Sequence, residues 1–124
     1  MNVTPKELGY RPWGSYVVLV DKPTHKVKSI VVNPEQRLSL QSHKLRKEFW
    51  TIVDGTGVFT SGYDADYLDT QLVTIGDTLE IPAGMLHRIQ AGLTGITFIE
   101  VQLGAYFGED DIERFEDDYE RTNQ

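Results

Sequence analysis

Gln41-Ser42-His43-Lys44-Leu45-Arg46-Lys47-Glu48-Phe49-Trp50-Thr51-Ile52-Val53-Asp54-Gly55-Thr56-Gly57 is the stretch that decides the fold. In an extended chain, side chains two apart share a face. Gln41 and His43 therefore point the same way. After a tight excursion, Glu48, Trp50 and Ile52 share a face in the next strand. The Asp-Gly-Thr-Gly turn then closes the run. Outward from here the pattern repeats. Strands are predicted at 15–20, 26–32, 38–41, 48–54, 57–61, 67–73, 77–81, 87–90 and 96–102, rich in Val, Ile, Thr, Phe and Tyr. Turn chemistry separates them: Lys22-Pro23, Asn33-Pro34, Ser61-Gly62, Ile75-Gly76-Asp77, Pro82-Ala83-Gly84 and residues 92–95. A spacing of about ten residues without a long helical period predicts an all-β sandwich or barrel.

Only the tail departs. From Glu109 the apolar residues Ile112, Phe115 and Tyr119 fall three and four apart, which predicts a short helix or turn across the outside of the barrel. The expected organisation is one domain over 1–124. It comprises an N-terminal arm (1–14) anchored by Tyr10 and Trp13, a barrel (15–103) and an acidic C-terminal segment (104–124).

The chain of 124 residues has the length of one domain, with room for a single sizeable core. No stretch approaches the roughly 18 apolar residues that span a bilayer, so no membrane partner is expected. The start lacks the basic, apolar and small-residue pattern of a secretion signal, and a cytoplasmic location is the expectation. The absence of cysteine excludes disulfides, thiolate metal sites and a cysteine nucleophile. The net charge of −7 argues against a nucleic-acid partner, but its location matters. Residues 109–121 hold eight acidic and two basic residues, which leaves the rest near neutral. A solvated helix face accounts for that run, and a local basic pocket for an anion stays available to the barrel.

Two turns carry candidate chemistry. The segment 41–48 offers Gln41, His43 and Glu48. The Pro82-Ala83-Gly84 turn places His87 at the start of a strand. Two imidazoles, a carboxylate and an amide oxygen form a mixed N/O set that suits zinc, manganese, iron, cobalt or nickel more than calcium.

These spacings resemble the two motifs of the cupin superfamily. The first, Gly-x5-His-x-His-x3–4-Glu-x6-Gly, is matched by Glu35, Gln41-Ser42-His43, Glu48 and Gly55. The second, Gly-x5-Pro-x-Gly-x2-His-x3-Asn, is matched by Gly76, Pro82-Ala83-Gly84, His87 and Ala91. Glu35, Gln41 and Ala91 depart from the pattern. Arg37 to His43 with Arg46, Glu48 and Trp50 is similar to the cupin domain of type II mannose-6-phosphate isomerases, which typically carry Gln in the first ligand place. Arg11-Pro12-Trp13-Gly14-Ser15-Tyr16, His87-Arg88, Ile99-Glu100-Val101-Gln102 and Gly108-Glu109-Asp110-Asp111-Ile112 extend the likeness over about residues 10–121.

The resemblance implies a double-stranded β-helix, or jelly-roll barrel, holding one divalent ion per chain, zinc first, on Gln41, His43, Glu48 and His87. It implies interconversion of mannose 6-phosphate and fructose 6-phosphate through an enediol-type intermediate. Such chemistry needs a base. Glu100, a carboxylate in an apolar strand, is the first candidate if it faces inward, and Glu80 the second. It also needs cations for the phosphate: Arg46, Arg114, Lys28, Arg37 and Arg88 are candidates, with Trp50 lining or flooring the pocket. Two other readings stay open: another metal-dependent cupin enzyme such as a dioxygenase, and a non-catalytic module binding a sugar phosphate or sugar nucleotide. Many relatives fuse this domain to a sugar-1-phosphate nucleotidyltransferase, so a functional link to a separate such chain is expected. Open sheet edges predict a homodimer.

Overall fold

The computed structural model describes residues 7–119; the first six residues of the arm and residues 120–124 of the acidic segment lie outside them. Among the described residues nine strands form: β1 (Glu7–Arg11), β2 (Gly14–Asp21), β3 (His25–Val32), β4 (Leu40–His43), β5 (Arg46–Asp64), β6 (Tyr67–Thr74), β7 (Thr78–Ile81), β8 (Leu86–Gly104) and β9 (Ile112–Glu116). The expected double-stranded β-helix is present. β5 and β8 run antiparallel along their whole length, from Arg46↔Gly104 to Gly62↔Leu86, and both bend from one sheet into the other. One sheet holds β1, β2, β3, the second half of β8, the first half of β5, and β7. The other holds β9, β4, the first half of β8, the second half of β5, and β6.

The two predicted pairs of strands at 48–54 with 57–61 and at 87–90 with 96–102 are therefore two long bent strands. Their intervening turn residues make a corner rather than an end. The register slips between Ile52 and Asp54 and again between Gly55 and Gly57. Gly55 sits there at φ 80, and a Cβ on it would meet the Gly95 carbonyl oxygen at 2.1 Å. A bulge with glycine is how a strand turns a barrel corner.

The inward alternation read from the sequence holds. Arg46, Glu48, Trp50 and Ile52 are buried on β5; Lys28, Ile30 and Val32 on β3; Ile96, Phe98, Glu100 and Gln102 on β8. Each row is apolar at one end and polar at the other. The apolar ends, with Val18, Phe59 and Ile89, form the core. Each such side chain contributes about 1.5–3 kcal/mol on burial. The polar ends meet at one mouth.

Both termini differ from the expectation. The arm is a strand, β1, paired with β2, and Tyr10 is exposed while Trp13 is buried. In the tail only Glu109–Asp111 forms a turn, a short 3-10 one. Ile112–Glu116 is a strand that pairs with β4 instead of a helix. Tertiary pairing with the open edge of β4 overrides the three-and-four spacing. Period two puts Ile112 and Arg114 on the inner face and leaves Phe115 exposed. No described helix is long and apolar enough to cross a membrane.

Candidate metal centre

The mouth is built by two turns that hold each other. The Gly84 amide donates to the His43 carbonyl at 2.7 Å, which carries the Pro82-Ala83-Gly84 turn, and His87 after it, up to β4. The tight excursion at Lys44-Leu45 is capped by Asp111, whose carboxylate accepts from both backbone amides at 3.2 and 2.9 Å. That fixes the return by which Glu48 faces His43. The ligand atoms of His43, Glu48 and His87 lie within 4.8 Å of one another, and all three residues are buried. Side-chain adjustment closes that spread around one ion with bonds of about 2.0–2.2 Å.

The chemistry of the donors fits a divalent cation. Burial pushes the His43 imidazole down to about 3, against the opposing pull of Glu48, so it is neutral. Burial lowers His87 likewise. Its Nδ1 lies 2.9 Å from the Met85 carbonyl, which can only accept. Nδ1 therefore carries the proton, and Nε2 presents its lone pair, the arrangement typical of a metal-ligating imidazole. Burial alone would raise Glu48, but the Arg46 guanidinium beside it outweighs burial and holds the carboxyl well below its usual range. Gln41 lines the same cleft in register with His87. Its amide nitrogen donates to Ser39, so its carbonyl oxygen is the atom it can offer a ligand.

Arg46 is woven into this cluster. Its Nε donates to Glu48 at 2.8 Å, its Nη2 to His43 Nε2 at 2.8 Å, and its Nη1 to the Phe107 carbonyl at 3.3 Å. The Trp50 indole donates to the other Glu48 oxygen at 3.0 Å, stacks on Phe98 and meets the His87 ring edge-on.

The cleft around these groups is small, about 70 Å³ within, and opens at its mouth to solvent. Glu100 faces into it from β8, buried, in register with Lys28 on one side and Trp50 on the other. Burial raises its carboxyl well above the carboxylate range, and neighbouring Glu48 raises it further. Lys28, Arg46, Arg114 and Trp50 also line the cleft.

Three sequence candidates are elsewhere. Glu80 projects from the outer face of β7, between inward Leu79 and Ile81, and pairs with Lys47 at 3.3 Å. Arg37 is clamped by Asp118 and Glu116. Arg88 binds the Leu38 carbonyl and Glu116. Both arginines fasten the tail to the barrel instead of facing the cleft.

The structure adds residues that the sequence reading left aside. Arg11, Trp13 and Tyr16 line the cleft from β1 and β2, and Glu109 from the tail turn. Gln102 donates to Glu100 and fixes that carboxyl in place. Their signal was available: the Arg11–Tyr16 and 99–102 segments carry the resemblance, but residue type alone reads as core.

The profile of the mannose-6-phosphate isomerase C-terminal family matches residues 2–117. Among curated relatives, xanthan biosynthesis protein XanB of Xanthomonas campestris pv. campestris is 44% identical over 91% of this chain and 23% of its own length. Alginate biosynthesis protein AlgA of Pseudomonas aeruginosa is 45% identical with the same coverages. The chain thus spans about a quarter of the length of these relatives. Among solved structures, the capsular polysaccharide assembling protein CapF of Staphylococcus aureus superposes with a TM-score of 0.80 at 21% identity, over 91% of this chain and 33% of CapF. That likeness shows the fold.

Proposed function

The chain belongs to the mannose-6-phosphate isomerase C-terminal family, and from that premise we propose that it interconverts mannose 6-phosphate and fructose 6-phosphate. The observation that carries the reading is Glu100: a buried carboxylate in the wall of a cleft that also holds the His43, Glu48 and His87 cluster. His43, Glu48 and His87, with Gln41 as fourth donor, would hold a divalent ion, zinc first. Such an ion supplies Lewis-acid stabilisation of charge on the sugar's carbonyl and hydroxyl oxygens. Glu100, in its ionised form, acts as the base. It takes the proton from C2 of the aldose and returns it to C1, through an enediol-type intermediate, while the hydroxyl proton on O2 passes to O1. Gln102 holds the carboxyl in position for both transfers. Trp50 floors the cleft and orients Glu48. Lys28, Arg46 and Arg114 are the cations that face the phosphate.

Incubation of the protein, loaded in turn with zinc, manganese, iron, cobalt or nickel, with either sugar phosphate should give the other. In heavy water the product should carry deuterium at the exchanged carbon. No turnover with any of the five ions rules the reading out.

A second reading, a module that binds a sugar phosphate without converting it, is favoured by one contact. Arg46 donates to both Glu48 and His43 Nε2, which makes a fixed cation part of this wall of the cleft. Tight sugar-phosphate binding without turnover would select it.

A further inference from the structure

Lys28 and Arg46 face the cleft from different strands, and one carboxylate lies between them. Glu109 Oε1 is 3.9 Å from Lys28 Nζ, and Glu109 Oε2 is 3.9 Å from Arg46 Nη1. The two cations are fixed: their side chains are 9% and 4% exposed. The Lys28 amine sits over the Tyr16 ring, and Arg46 is held by Glu48 and His43. The carboxylate is not fixed, being 49% exposed at the rim. Its turn is fastened by other groups: Asp111 on the Lys44 and Leu45 amides, and the Phe107 carbonyl on Arg46. Glu109 can therefore swing into water while the turn stays in place.

We propose that Lys28 and Arg46 form the seat for the anionic group of the substrate, and that Glu109 fills this seat until a phosphate displaces it. The inference rests on the sugar-phosphate reading for its natural ligand. The exchange replaces a single negative charge with a phosphate monoester of about −1.5 to −2, against the same two cations. The displaced carboxylate regains its hydration. A neutral sugar gains nothing from the exchange. Lys28 and Arg46 give the cleft its preference for phosphorylated over neutral sugars, and Glu109, as a competitor for the seat, sets how tightly the phosphate is held.

The test measures binding of inorganic phosphate, mannose 6-phosphate and mannose at constant ionic strength. Each is run with zinc bound and again after chelation, which separates phosphate on the ion from phosphate in the seat. Glu109→Gln should bind both phosphates about tenfold more tightly than the unaltered protein, a gain of about 1.4 kcal/mol, with mannose unchanged. Lys28→Gln should weaken both phosphates at least tenfold, with or without Glu109. Phosphate should shift the amide resonances of residues 107–110 in the unaltered protein. Glu109→Asp, a methylene shorter, should fall between Glu and Gln, and it carries the test if the Gln variant does not fold. Equal or weaker phosphate binding in the Glu109 variants overturns the proposal, as does no phosphate binding to any form. Turnover is read separately. Tighter phosphate binding in Glu109→Gln without isomerisation keeps the seat and removes the isomerase. Isomerisation with phosphate affinity indifferent to residue 109 does the reverse.

Discussion

Replacing Arg46 with methionine tests the electrostatics of the cluster. The guanidinium is 5% exposed and makes two 2.8 Å contacts, to Glu48 and His43, with a third to the Phe107 carbonyl. Methionine keeps the stem's bulk and removes the charge. Glu48, only 1% exposed, then loses its strongest attractive partner. Removing one member of a buried pair costs about 3–5 kcal/mol, because an uncompensated charge stays behind. For a domain of this size that is a drop in Tm of about 12–20 °C. Thermal and urea unfolding of both proteins in a chelator should show it. The loss should shrink when zinc is added, because the ion supplies positive charge against the same carboxylate. A loss below about 1 kcal/mol in chelator, the value of an exposed pair, would refute the reasoning. Glu48 would then be neutral or solvated, and the donor set would not be the ionised one described.

Glu100→Gln should lower kcat by about 10²–10⁴ and leave zinc content unchanged, while Glu80→Gln, on the outer wall, alters neither; equal losses in the two would remove Glu100 from its role. Glu35 holds φ 64, so Glu35→Gly should raise stability by up to about 1 kcal/mol, the left-handed cost less the unfolded-state entropy of glycine. A lower urea midpoint would mean that the Glu35 side chain earns its place by contacts. Hydrogen bonds from Arg88 and Arg37 hold Glu116 and Asp118 below their ordinary 4.5 and 3.8. Their pull on β9 is complete above those values and is lost as pH falls through the depressed ones. Amide resonances of β9 should therefore move toward random-coil positions below about pH 4 before those of β5 do, and simultaneous movement would show that the tail has no separate tether.

How far the sequence could be read follows from what each signal measures. Alternation measures the inside and outside of a strand. It therefore put Glu48 and Trp50 on the inner face and left Glu100 as a question of register that only the pairing with Lys28 and Trp50 answers. Turn chemistry measures local backbone shape. It marked Asn33-Pro34; the resemblance to the cupin motif, which has glycine at position 35, marked Glu35, and there the chain takes φ 64. Neither signal tells a corner from an end. Gly55 and Gly95 looked like breaks because a bend within a strand and a turn between strands use the same residues. β9 was illegible for another reason: its strand conformation comes from β4, a partner about 70 residues away, and no local window contains that partner.

The acidic tail makes the same point about charge. Counted along the chain, residues 109–121 hold most of the net −7 and read as a solvated face. Four of those acids are in fact addressed to the barrel. Asp118 and Glu116 take Arg37, and Glu116 also takes Arg88. Asp111 caps the excursion that returns Glu48 to the site, and Glu109 reaches Lys28 and Arg46. The tail thus divides five basic candidates that the sequence could not rank. Arg37 and Arg88 become fasteners. Lys28 and Arg46 share a half-exposed carboxylate from the tail, Arg46 also binds the Phe107 carbonyl, and Arg114 rides on β9 into the cleft wall. Truncation before Ile112 should therefore do more than fray an edge strand. It should uncover β4 beside Gln41 and His43 and release Arg37 and Arg88 from their acidic partners. Phosphate would then bind the barrel with less selectivity between Lys28 and the freed arginines. The single-site affinity expected of the intact chain would become several weak sites, which a phosphate titration followed by amide resonances resolves.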